Sequence, residues 1–146
     1  MSGAVKISEA ASLALHAMVL MAAIPERFLP AKEIAATFKI SSAHLAKVMQ
    51  RLVRAGLVSS SRGPAGGFTL ARPSQEITLL EIYEAIEGAL SQEGCLLAKE
   101  VCPGSACLLG DIICDVNETF RKGLASKTLA ALARSYLTRA PLAKAM

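Results

Sequence analysis

Leu57-Val58-Ser59-Ser60-Ser61-Arg62-Gly63-Pro64-Ala65-Gly66-Gly67-Phe68-Thr69-Leu70 reads as a β-hairpin. Leu57-Val58-Ser59 forms one strand, Phe68-Thr69-Leu70 the returning one, and Arg62 to Gly67 the loop between them. Gly63, Gly66 and Gly67 permit the positive φ values a hairpin loop needs, and they let backbone approach a phosphate or a groove wall. A nucleotide-cradling loop is disfavoured, because P-loop spacing and a following helix N-terminus are both missing.

Upstream, Pro30 to Phe38 reads as a short helix, Lys39-Ile40-Ser41 as a tight turn, and Ser41 or Ser42 as the cap of a second helix ending near Ala55. Leu45, Val48, Met49, Leu52 and Val53 line the inner face of that helix, with His44, Lys47, Arg51 and Arg54 mostly away from it. Gly56 follows as a C′ glycine. Helix, turn, basic helix and hairpin together predict a helix-turn-helix with a wing beside its recognition helix. Earlier still, Ser8 caps a helix to Ala23 whose Leu13, Ala14, Ala17, Met18 and Met21 recur at core spacing, and Pro25 to Leu29 is a connector. Downstream, Thr78 and Glu81 form a capping box for a helix from Leu79 to Leu90.

Charge is segregated along the chain. Ile34 to Gln75 contains no acid, only Lys39, Lys47, Arg51, Arg54, Arg62 and Arg72. Between Glu76 and Glu118, nine acids face Lys99 alone, and beyond Thr119 only bases remain. A segregated basic segment predicts a polyanionic partner, nucleic acid before all others. The content of 53% hydrophobic but only 4% aromatic residues, rich in Ala and Leu, predicts a mainly helical chain. No apolar run is long enough for a membrane span. The apolar stretch Leu13 to Ile24 lacks a basic n-region, so a cytoplasmic, membrane-free protein is expected. No Ser-His-Asp, Cys-His or paired-carboxylate arrangement supports an enzyme.

All four cysteines fall within twenty residues, at Cys95, Cys102, Cys107 and Cys114. Pro103 and Gly104 keep the middle of this stretch from helix, and a thiolate-bearing loop suits a metal or an iron–sulfur cluster. In a reducing compartment, clustered cysteines are more often ligands or redox sensors than structural disulfides. From about Cys107 a long helix is predicted, with Leu109, Ile112, Ile113, Val116, Phe120 and Leu124 as an apolar stripe that calls for another surface, a two-fold partner helix being the simplest and the chain's own N-terminal helix the alternative. A shorter helix from Lys127 to Leu137 follows. With Ser105 as the cap, Cys107 falls in the first turn of the long helix, where N–H groups favour a thiolate. Cys114 then lies roughly 10 Å along the axis, at ~1.5 Å per residue, too far to share a small cluster with Cys107. It falls on the side of Asp111 and Glu118, whose carboxylates favour a protonated thiol.

The chain resembles the Rrf2 family of winged-helix transcription regulators. The residues that carry the resemblance are Lys6-Ile7-Ser8 with Leu13 to Ala17, Ile34-Ala35 through Leu45, Leu52 through Val58, and above all Arg62-Gly63-Pro64-Ala65-Gly66-Gly67-Phe68. The resemblance implies a homodimer on a double-stranded DNA operator with two half-sites, the helix Ser42–Ala55 in the major groove and Arg62 near the minor groove. Carried to this chain, the DNA-contact set is Lys6, Ser8, Ser41, Ser42, His44, Lys47, Arg51, Arg54, Arg62, Gly63, Gly66 and Gly67. It also implies Cys95, Cys102 and Cys107 as thiolate ligands of a 2Fe-2S or 4Fe-4S cluster. The fourth ligand departs from the pattern. Where the family places an acid from the partner's first helix, gapless matching puts Ser12, with Glu9 a turn earlier and His16 a turn later. The histidine three residues after the last cysteine in IscR-type members is Gly110 in this chain. Glu9, Ser12 or His16 of the partner subunit, Asp111, Cys114 and an exogenous group all stay open.

The expected architecture is therefore mainly α with a small β-hairpin wing: a winged helix-turn-helix over 1–90, a cysteine loop over 91–107, and a dimerisation helix with a C-terminal helix over 108–146. The expected function is a repressor whose operator affinity depends on an iron–sulfur cluster that reads redox, nitric oxide or iron status. The alternatives are a metal-free thiol switch using Cys102 and Cys107, or either with Cys114, and, from another class, an electron-transfer protein. A zinc site is disfavoured by the missing CxxC pair.

Overall fold

The computed structural model describes Val5 and residues 7–90 and 107–139, so Lys6, Cys95, Cys102 and Ser105 lie outside the described residues. Helix α1 (Glu9–Ala23) begins where expected, with the Ser8 hydroxyl accepting the Ala11 N–H at 3.1 Å. Besides the predicted core stripe, Val19 and Leu20 are buried. The helix is covered nearly all round because it packs against the recognition helix, the returning strand of the wing, and the helices that begin at Leu79 and Leu129.

Helix α2 (Ala31–Phe38) ends at Lys39, which takes a left-handed φ of 54° so that Lys39 and Ile40 N–H groups close on Ala36 and Ala35 carbonyls. Ser41, rather than Ser42, then caps α3 (Ser42–Arg54), its hydroxyl accepting the His44 N–H at 3.1 Å. Leu45, Val48, Met49 and Leu52 are buried and Val53 is half-buried, as their spacing predicts. Gly56, at φ 73°, turns the chain into the hairpin.

Strands β1 (Val58–Ser61) and β2 (Gly67–Leu70) pair antiparallel, Val58 opposite Leu70 and Ser61 opposite Gly67. Leu57 precedes the strand pair; it is buried, and its carbonyl accepts the Ala71 N–H at 3.0 Å. The predicted connector also holds a surprise. Leu29 bridges Phe68 through two backbone hydrogen bonds of 2.8 Å each, adding a one-residue third rung to the wing.

After a 3-10 turn (Ser74–Glu76), α4 (Leu79–Glu87) starts with the predicted capping box: Thr78 Oγ1 accepts the Glu81 N–H and the Glu81 carboxylate accepts the Thr78 N–H. Burial pushes the Glu81 carboxyl up, but the hydrogen bonds from Thr78 and Arg72 outweigh it and hold the carboxyl below its usual range. Its stabilising contribution is therefore present above the ordinary carboxylate value and is lost as pH falls through the lowered one. Thr78→Ala is expected to cost ~1 kcal/mol, read as a lower denaturant midpoint at unchanged slope. The helix ends at Glu87 instead of running to Leu90, because Gly88 takes φ 84° and donates its N–H to the Glu84 carbonyl.

Helix α5 (Leu108–Ala125) carries the long stripe, and α6 (Leu129–Arg139) packs along α1. The starts of α4 and α6 are stitched together, Leu79 N–H to Lys127 O at 3.0 Å and Leu129 N–H to Ile77 O at 2.8 Å, over the fully buried Ile77 and Leu129. The stripe of α5 is not a single surface. Phe120 and Leu124 pack on the chain's own core, Phe120 meeting Tyr83 edge-to-face at 5.3 Å. Leu109, Ile112 and Val116 are exposed at 59%, 60% and 38%, so the first half of α5 lacks a cover among the described residues.

Candidate nucleic-acid interface and cysteine segment

The outer face of α3 presents Ala43, Lys47, Gln50 and Arg54, all exposed and, at 100° per residue, nearly in line. Among the described residues neither Lys47 nor Arg54 enters an ion pair, in contrast to Arg27, Arg72 and Arg121. Ser41 and Ser42 are exposed at the N-terminal end of this face. Gln50 was missed by a sequence reading that followed charge. Its only signal is its place midway between Lys47 and Arg54, and its amide is a group able to read an adenine edge.

Two expected DNA contacts also have partners within the chain. The Arg51 guanidinium donates from Nη1 to the Ile86 carbonyl at 3.0 Å. The Ser8 hydroxyl caps α1 and also donates to the Glu87 carboxylate. His44 is half-buried, its Nε2 enclosed without a hydrogen-bond partner among the described residues.

At the wing, Arg62 is exposed beside Gly63, whose φ is 102°. Gly66 closes the loop with its N–H on the Gly63 carbonyl at 3.0 Å, and a Cβ there would sit 2.4 Å from the Ser61 oxygen. A Cβ on Gly67 would sit 2.2 Å from the Leu29 oxygen. The last two glycines are thus required by the wing's own backbone, and Arg62, the one charged residue of the loop, enters no ion pair among the described residues.

The cysteine segment enters the described structure at Cys107. This residue is the N-cap of α5 and not a first-turn residue: its φ of −105° is extended, and its sulfur accepts the Gly110 N–H at 3.3 Å. A sulfur so placed faces the unpaired amides of the helix start. That environment, with two more thiols upstream in sequence, suits an iron–sulfur cluster. Cys114 is half-buried two turns further on, as its spacing predicts. The Glu118 carboxylate, expected to oppose a thiolate there, is bound by Arg121 at 2.8 and 2.9 Å and approached by Lys122. The Arg121 hydrogen bonds hold its pKa down at about 2, and its charge is compensated within its own helical turn.

Of the fourth-ligand candidates, Glu9, His16 and Asp111 are exposed and Ser12 is half-buried. His16 sets its ring edge-to-face on Phe38, with Nδ1 2.7 Å from the Ser12 carbonyl. A carbonyl only accepts, so Nδ1 is the donor in this contact. Among the described residues, no three His, Cys, Asp or Glu side chains converge on a metal-sized point.

A helix-turn-helix, a basic outward face and a hairpin beside it define a winged-helix DNA-binding regulator. The family model of Rrf2, described as an iron-dependent transcriptional regulator, matches residues 7–135, and the chain belongs to that family. It is 31% identical over 127 residues to YwgB of Bacillus subtilis, whose name classes it as an HTH-type transcriptional regulator, covering 85% of this chain and 81% of that one. It is 34% identical over 119 residues to protein aau3 of Rhizobium meliloti, covering 82% and 74%. Among solved structures, CymR, the global cysteine regulator of B. subtilis, superposes with a TM-score of 0.76 at 29% identity, covering 90% of this chain and 98% of that one. IscR of T. potens does so at 0.75 and 26%, covering 90% and 88%. No helix among the described residues is long and apolar enough to cross a membrane.

Proposed function

We propose that this Rrf2-family regulator is a homodimeric repressor whose operator affinity is set by an iron–sulfur cluster on Cys95, Cys102 and Cys107. The observation that carries the reading is the Cys107 sulfur, held at the start of α5 by the Gly110 N–H, with Cys95 and Cys102 upstream in sequence. When bound, the cluster supplies a group that oxygen, nitric oxide or iron shortage can oxidise, nitrosylate or remove. The chain's own part is to couple that loss to the spacing of two recognition helices. The fourth ligand comes from Glu9, Ser12 or His16 of the partner subunit, from Asp111, or from outside the protein. The experiment is a binding titration on a duplex enriched from a random pool by anaerobically loaded protein. Stripping with a chelator is expected to shift affinity by ~5–150-fold, and an unchanged affinity rejects cluster control.

A thiol switch without metal is favoured by one observation: an oxidised form of Staphylococcus aureus CymR superposes on this chain with a TM-score of 0.73. Under that reading, affinity follows a disulfide and ignores the chelator.

On DNA, Arg54→Ala is expected to weaken operator and random duplex alike and to flatten the salt slope by about one unit. Gln50→Ala is expected to lose ~1–3 kcal/mol on the operator alone, with relaxed preference at one base pair. Titrations at several salt concentrations separate the two patterns. For the dimer, Ile112→Asp places a charge on the open apolar half of α5, which a partner would bury, and is expected to yield monomers. Light scattering decides it, and a wild-type monomer at micromolar concentration removes the two-half-site operator.

A further inference from the structure

The last turn of α4 is a junction. Its Ile86 carbonyl, one of the unpaired acceptors of a helix end, takes a hydrogen bond from Arg51 of the recognition helix at 3.0 Å. Its Glu87 carboxylate takes the hydroxyl of Ser8, the N-cap of α1. Gly88 then swings the chain away at φ 84°, and the Leu90 N–H is drawn back to the Glu84 carboxylate at 3.4 Å. In sequence, residue 91 opens the segment that carries Cys95 and Cys102. The ends of α3 and α4 are not fully packed together at this point. An open cleft of about 440 Å³ lies between Arg51, Arg54 and Ala55 on one side and Ile86, Glu87 and Gly88 on the other. Arg51 spans it.

We infer that Arg51 is a positioning residue that transmits the state of the cysteine segment to the recognition helix. A displacement at residue 91 acts first on the turn from Ile86 to Leu90. Beside the packed side chain of Ile86, the Arg51 hydrogen bond to the Ile86 carbonyl is the polar link that passes such a displacement to the outer side of α3. Arg51 sits on that helix one residue beyond Gln50 and three before Arg54, so a shift or roll of its backbone re-aims the outward face. Arginine chemistry fits such a relay. The group stays charged, and its five donors allow one contact to exchange for another, with the Glu87 carboxylate on the same cleft. The role replaces the direct DNA contact expected of Arg51 from sequence, and it rests on the sensing function proposed above.

The test compares wild type with Arg51→Met, which keeps the apolar stem, and Arg51→Lys, which keeps a single donor and carries the same comparison should the methionine variant misfold. Each is titrated on the enriched duplex, loaded and chelator-stripped, over a range of salt. In the wild type the two affinities should differ by ~5–150-fold. In Arg51→Met the ratio should collapse towards one, with iron content and salt slope as in wild type, and Arg51→Lys should fall between. Hydrogen exchange gives a readout without DNA. Loading should slow exchange in both α4 and α3 of the wild type, and in α4 alone in Arg51→Met. A ratio preserved in Arg51→Met, with both affinities lowered together and the slope flattened by about one unit, would make Arg51 a phosphate contact and overturn the relay. A wild-type ratio of one overturns the sensing function and the relay with it, a result distinct from a relay that fails alone.

Discussion

Gly67→Ala is expected to abolish specific operator binding while the helical core stays folded. A Cβ at this position would lie 2.2 Å from the Leu29 oxygen, 2.4 Å from the Leu29 carbonyl carbon and 2.7 Å from the Pro30 nitrogen. All three are backbone atoms, so no side chain can swing aside. The residue also holds φ 151°, which L side chains rarely adopt. Relief requires the two Leu29–Phe68 hydrogen bonds to open, and with them the attachment of the wing to the segment before α2. Backbone strain plus two hydrogen bonds amounts to roughly 3–5 kcal/mol, enough to detach a four-residue strand pair but less than a domain's usual total stability. Gly63→Ala is the control. It has a positive φ but nothing within 4 Å of its Cβ, so its cost is the strain alone. Duplex titration beside far-ultraviolet dichroism separates a lost wing from a lost fold. Wild-type binding by Gly67→Ala would mean the wing does not approach Leu29 as described.

The helices and hairpin were legible because their ends are chemically marked. Ser8, Ser41 and Thr78 cap, Gly56 and Gly63 turn, and the inner face of α3 repeats at helical spacing. What escaped depends on residues far apart in sequence. The Leu29–Phe68 rung is a single pair with no alternation to betray it, and Gly67 hinted only that something comes close. Apolar periodicity continues through Leu90, yet the positive φ at Gly88 ends α4. The stripe on α5 told which residues are apolar but not what covers each. Tyr83, 37 positions earlier in the chain, covers Phe120, and among the described residues nothing covers Ile112. Arg51 looked like its basic neighbours until its partner, 35 residues away, was in place. Gln50 carries no charge and so drew no attention.

The cysteines should divide into three that are required and one that is not. Replacing Cys107 by serine leaves an N-cap able to accept the Gly110 N–H, so α5 should keep its start while losing the soft ligand. Helix content and melting temperature are then expected to change little, and any bound metal to be lost. Cys95→Ser and Cys102→Ser should empty the protein equally. Cys114→Ser, seven residues beyond the helix cap and ~10 Å along its axis, should not. The deciding measurement is iron and acid-labile sulfide per subunit in protein purified without oxygen, for the wild type and each single replacement. Equal iron and sulfide in the wild type and in Cys114→Ser, with near-complete loss in the other three, is the expected result. Wild-type protein free of iron and sulfide under those conditions would contradict cluster-controlled DNA binding outright.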